Sequence, residues 1–101
     1  MNREQYLLTK LAEECSEVTK VALKAQQFGL DGTKEDGGLT NREKLNAELQ
    51  DLFSIVEMLC REIKIGFEVD ENALHKKMEK VNFYYQVSVD AGKVSNNDST
   101  I

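Results

Sequence analysis

Acidic side chains three residues apart on a helix share one face, and two such pairs on neighbouring helices can hold a divalent cation between them. The chain has three pairs at this spacing, Glu14/Glu17, Glu48/Asp51 and Glu68/Glu71. With eighteen acids in 101 residues, chance alone gives about three, so position must discriminate among them. Glu14 follows Leu7 by seven residues and precedes Val18 by four, which puts it inside an apolar helix stripe, with Glu17 one turn on. Glu48 precedes Leu52 by four and Asp51 precedes Ile55 by four, so both border the apolar side of their own helix. Glu68/Glu71 follows Gly66 and needs no ligand, because acids at a helix start complement its dipole.

Carboxylates converging at a partly apolar site repel one another and lose hydration, unless they protonate or share a cation. Mg2+ suits such a site: it prefers hard oxygen ligands in octahedral geometry, with Mn2+ as a possible substitute. No cluster of His and Cys is present to favour zinc. The competing reading of the four acids is a solvated polar face, the commoner setting for acids on helices.

These residues need helices to carry them, and the punctuation supplies long uninterrupted segments. There is no proline, and five of six glycines lie at positions 29, 32, 37, 38 and 66. Leu7, Leu11, Val18, Val21 and Ala25 recur at helical spacing, which predicts a helix from about Asn2, a candidate N-cap, to Phe28. The polar, glycine-rich stretch from Gly29 to Leu39 predicts a loop. Thr40-Asn41-Arg42-Glu43 fits a capping box and opens a second helix, with Leu45, Leu49, Leu52, Val56, Leu59 and Ile63 on one side. It should stop near Ile65, closed by Gly66 in the left-handed conformation. Asp70 is a candidate cap for a third helix with Leu74, Met78, Val81 and Tyr85 aligned, running to about Gly92. Residues 1–92 form one expected domain and 93–101 a polar, frayed tail. Three helices of this length bury little apolar surface alone, so the expected fold is an all-α antiparallel helix bundle completed by homo-oligomerisation, as a homodimer or homotetramer.

Composition excludes several functions. Hydrophobic residues at 41% and charged residues at 31% describe a globular chain. The net charge of −5 argues against a nucleic-acid polymer as partner. No apolar run is long enough for a membrane span, and MNREQYLLTKLAEE has no signal-peptide core, so the expected location is the cytoplasm. Cys15 and Cys60 are expected to be reduced thiols, Cys15 as a small buried hydrophobe. His75, flanked by Leu74 and Lys76, is expected on a solvated surface.

LAEECSEVTKVALKAQQFGL, containing Glu13, Glu14 and Glu17, is followed by NREKLNAELQDLFSIVEML, containing Glu48 and Asp51. Together they resemble the EExxE and ExxD motifs of the MazG-like all-α nucleoside triphosphate pyrophosphatases, most closely the small single-domain forms of phages and bacteria. The resemblance extends to KKMEKVNFYY and covers roughly residues 5–90. It implies Mg2+-dependent hydrolysis of nucleoside triphosphates to monophosphate and pyrophosphate, in the host cytoplasm if the chain is phage-encoded. It also implies metal ligation by Glu14, Glu17, Glu48 and Asp51, and catalytic roles for Glu14 and for Glu13, which would orient the attacking water or accept its proton. Lys80, then Lys77, with Asn82 and Tyr84, are the implied substrate contacts. Two features depart from the family pattern. The 30 residues between Glu17 and Glu48 include the glycine-rich loop, placed to cover base or ribose, and the tyrosine-proline ending of the later motif is absent. A related phosphoribosyl-ATP pyrophosphohydrolase, or a non-enzymatic helical dimer that binds a protein partner, are the alternative readings.

Overall fold

Asn2 begins the first helix by a reciprocal contact. Its side-chain oxygen accepts from the Gln5 amide while the Gln5 side chain accepts from the Asn2 amide, both at 2.8 Å, so two orphan donors of the first turn are satisfied. The helix that follows, α1, spans Arg3–Phe28. The computed structural model describes residues 1–33 and 38–95. It is helical, with no strand among the described residues. The second helix, α2, spans Asn41–Met58 and opens on the expected Thr40/Glu43 capping box. Leu59–Ile63 then continues as a π-helical turn, and α3 spans Glu71–Asp90. The chain divides into two compact units, Met1–Gly66 and Phe67–Ile101.

In the first unit α1 and α2 run antiparallel. At one end the Arg3 guanidinium donates to both carboxylate oxygens of Glu62, at 2.8 and 3.1 Å. At the other, Nδ2 of Asn41 donates to the Gly29 carbonyl at 2.9 Å. Leu7, Val21, Ala25 and Leu59 are buried between them, Leu7 and Leu59 almost completely. Leu11 and Val18 of α1, and Leu45, Leu49, Leu52, Ile55 and Val56 of α2, are half-buried. The stripes therefore pack as their spacing requires, with Glu14 and Glu48 half-buried among them.

The described part of the connection is tied to the start of α2. The Asn41 amide donates to the Gly32 carbonyl at 3.1 Å and the Arg42 amide to the Leu30 carbonyl at 2.7 Å. Arg42 also forms a two-point ion pair with Asp31, at 3.0 and 3.3 Å. Gly32 is required by close approach, since a Cβ there would lie 2.5 Å from the Phe28 carbonyl oxygen. Residues 34–37, part of the loop expected to cover base or ribose, lie outside the described residues.

The end of α2 differs from expectation. The left-handed residue that stops the helix is Lys64, at φ 60°, two positions before Gly66, which has a positive φ of its own. The π turn begins at Leu59, which is nearly fully buried.

In the second unit Asp70 caps α3, accepting from the amides of Asn72 and Ala73 at 2.9 and 3.1 Å. The helix buries none of its residues. Leu74, Met78 and Val81, the expected apolar side, are exposed, and Tyr85 is half-buried. Lys93 returns its amide to the Ser88 carbonyl at 2.9 Å, and the Tyr85 hydroxyl donates to Ser95 at 3.4 Å. The start of the expected frayed tail is thus hydrogen-bonded to α3, while residues 96–101 lie outside the described residues.

Candidate functional site

The Arg3–Glu62 pair sets the register between the two helices. Glu14 lies eleven residues inward from Arg3 and Asp51 eleven residues inward from Glu62, about three turns in each case. The two acids therefore meet across the hairpin, and Glu48 joins them one turn before Asp51. One carboxylate oxygen from each of Glu14, Glu48 and Asp51 lies within 4.8 Å of the other two.

Three oxygens at that spacing suit a hard divalent ion. With Mg2+–oxygen distances of about 2.1 Å, octahedral ligands are separated by roughly 3 to 4.2 Å, so small side-chain rotations close the set. Its electrostatics point the same way. Desolvation first, then the charges of Glu17, Asp51 and Glu14, hold the Glu48 carboxyl above its ordinary value, with Lys20 opposing. A cation would relieve both effects. No His or Cys belongs to the group, as the oxygen-ligand reading requires.

Of the four expected ligands, Glu17 is outside this set, although its charge is felt at Glu48. Glu13 is exposed and engaged by Lys10 Nζ at 3.1 Å. Lys77, Lys80, Asn82 and Tyr84 lie on α3 and are exposed. Lys77, Lys80 and Tyr84 share one face by their spacing, with Asn82 about 160° round the axis from Lys80. The Tyr84 ring meets Phe83 edge-on, with centroids 5.2 Å apart. Cys15 is exposed rather than buried, because it follows Glu14 round the helix and turns away from the hairpin seam; it is a free thiol. His75 is exposed as expected.

One feature was missed from sequence. A cavity of about 420 Å³ lies at the loop end of the hairpin, lined by Lys24, Phe28, Thr33, Asn41 and Lys44. Of these, the sequence places Phe28 at the end of the first helix and Asn41 in the capping box, neither as part of a cavity. The signal was nonetheless present: Lys24 immediately precedes Ala25 and Lys44 immediately precedes Leu45, so each borders an apolar stripe.

Compared with family models, with curated proteins and with solved structures, the chain matches none of them.

Proposed function

We propose that the chain is a Mg2+-dependent nucleotide pyrophosphohydrolase, with Mn2+ a possible substitute, converting nucleoside triphosphates to monophosphate and pyrophosphate. The observation that carries this reading is the convergence of Glu14, Glu48 and Asp51 within 4.8 Å across two helices. Its support from sequence is the ordered pair of acidic motifs that resembles the MazG-like pyrophosphatases.

In this reading Glu14, Glu48 and Asp51, joined by Glu17, hold the cation. The ion supplies, when bound, neutralisation of the triphosphate and acidification of the attacking water. Water oxygen attacks phosphorus, the bond to the bridging oxygen breaks, and pyrophosphate leaves with the electron pair. Glu13, held by Lys10, would orient that water or accept its proton, while Glu14 would serve the reaction as one of the residues that hold the cation. The resemblance names Lys77, Lys80, Asn82 and Tyr84 as substrate contacts. Lys77, Lys80 and Tyr84, which share one face of α3, would take that role, the lysines by charge at the phosphates, while Asn82 lies on the far side of the same helix.

Association into a homodimer or homotetramer belongs to the same proposal. Only Leu7, Val21, Ala25 and Leu59 are buried apolar residues among those described, whereas Leu8, Leu23 and Phe53 of the hairpin are exposed. A second copy covering such surface would complete an antiparallel bundle. The cytoplasm suits the substrate, and no described helix is long and apolar enough to cross a membrane.

The deciding experiment incubates the chain with Mg2+ and a panel of canonical and modified nucleoside triphosphates and measures pyrophosphate and monophosphate release. Stoichiometric release of both is expected. Failure to cleave any triphosphate, or release of orthophosphate instead, overturns the reading.

A further inference from the structure

The cavity at the loop end of the hairpin lies beside the acidic cluster on the same two helices. Lys44 precedes Glu48 by four residues and Lys24 follows Glu14 by ten, which is about 6 Å and 15 Å along the helix axes. The nearer separation matches the reach of a ribose between an α-phosphate and its base.

The lining of the cavity is suited to a base rather than to more phosphate. Its volume of about 420 Å³ far exceeds a phosphate group. Phe28 is 66% exposed and offers a ring face on which a planar heterocycle can stack. Asn41 is 5% exposed and immobilised by its side-chain bond to Gly29 and its amide bond to Gly32, so it forms a rigid floor. Lys24 and Lys44 are half-buried, and their ammonium groups have no hydrogen-bond or ion-pair partner among the described residues. They bring only donors to the cavity, since a lysine ammonium cannot accept.

We propose that this cavity is the base subsite, and that Lys24 and Lys44 select bases bearing an exocyclic oxygen over those bearing an exocyclic amine. The inference rests on the pyrophosphohydrolase reading above. Hypoxanthine and guanine present O6 and N7, and uracil presents O4, all acceptors; adenine and cytosine place an amino donor at the matching position. Ammonium facing amine leaves both groups unpaired in a partly desolvated cavity, a mismatch that binding sites discriminate strongly.

Isothermal titration with the non-hydrolysable α,β-imido analogues of ITP, ATP, UTP and CTP, in Mg2+, tests this on the whole chain. The ITP/ATP and UTP/CTP pairs exchange an exocyclic oxygen for an amine, with the adjacent ring nitrogen changing from donor to acceptor. Wild type should bind ITP and UTP analogues about tenfold tighter than ATP and CTP analogues. Lys24→Met/Lys44→Met, which keeps the apolar stems, should bring both ratios close to one with little change for the ATP analogue; each single variant serves if the double variant loses its helical circular dichroism. Binding of all four without preference overturns the subsite and leaves the pyrophosphohydrolase reading intact. An equal loss for all four in the lysine variants also overturns it, because it assigns the lysines to phosphate. Absence of binding by every analogue overturns both.

Discussion

Arg3 and Glu62 are joined by two hydrogen bonds across fifty-nine positions of sequence, and this exposed pair ties the start of α1 to the end of the π turn. Its hydrogen bond to Arg3 holds the Glu62 carboxyl below its ordinary value. A carboxyl depressed in this way contributes stability above its unfolded pKa, about 4.3, and loses it as pH falls through the folded value. Arg3→Met should therefore lower the melting temperature by a few degrees at pH 7, with the difference vanishing below the folded pKa of Glu62. Solvent screening keeps the effect small and should shrink it further at about 1 M salt. Thermal melts of both proteins across pH and salt check this.

Glu48 has the opposite sign. Its pKa is raised in the fold, so the ionised carboxyl destabilises the metal-free chain, and stability returns as pH falls from the folded pKa towards about 4.3. Glu48→Gln should melt above wild type at pH 7 without metal, and should lose the stabilisation that Mg2+ gives the wild type. Turnover should collapse in the same variant. Glu68→Gln, from a pair outside the cluster, should leave metal response and activity unchanged. Calorimetry with and without Mg2+, beside an activity assay, compares the two.

Val56 lies half-buried on α2 in the stripe with Leu52 and Leu59. Val56→Asp should cause dissociation together with unfolding, because a charge there faces the surface that a second copy would cover. Light scattering of the wild type comes first: a stable, active monomer at micromolar concentration refutes association.

Lys80→Ala should weaken all triphosphates by a similar factor, since a phosphate contact reads charge common to every nucleotide. Specificity constants for four bases, compared with those of the Lys24 and Lys44 variants, distinguish a phosphate reader from a base reader. A change of base preference in Lys80→Ala reverses the assignment.

Gly32→Ala should destabilise the first unit, because the added methyl group meets the Phe28 carbonyl at 2.5 Å and the backbone bonds of Asn41 and Arg42 hold the turn in place. A lower melting temperature with α-helical content retained is the expected result.

What was legible in the sequence was local. Asn2, Thr40 and Asp70 cap their helices because each acts on amides within three residues, and Glu14 lies in the hairpin seam because helical spacing sets its direction. What was not legible depends on contacts distant in sequence. The register that joins Glu14 to Asp51, and leaves Glu17 outside the closest set, follows from how the two helices slide against each other. The cavity exists only once Lys24 and Lys44 are brought together by the hairpin. The π turn at Leu59–Ile63 leaves no mark in the helical stripe that runs through it, and the exposed Leu74, Met78 and Val81 show that periodicity identifies an apolar side without saying what covers it.

The π turn at Leu59–Ile63 also bears on which changes of chain length the hairpin tolerates. A π turn closes i to i+5 and so holds one more residue than an α turn would. Losing a single residue there lets the segment tighten into ordinary α geometry while the following side chains keep nearly the same height and direction. Glu62 would still meet Arg3, and the carboxylates three turns inward would stay in register. The same deletion anywhere within Asn41–Met58 would rotate every later side chain by about 100° and pull the acidic cluster or its anchoring ion pair apart. A single-residue deletion should therefore be tolerated in the π turn and not in the helix before it.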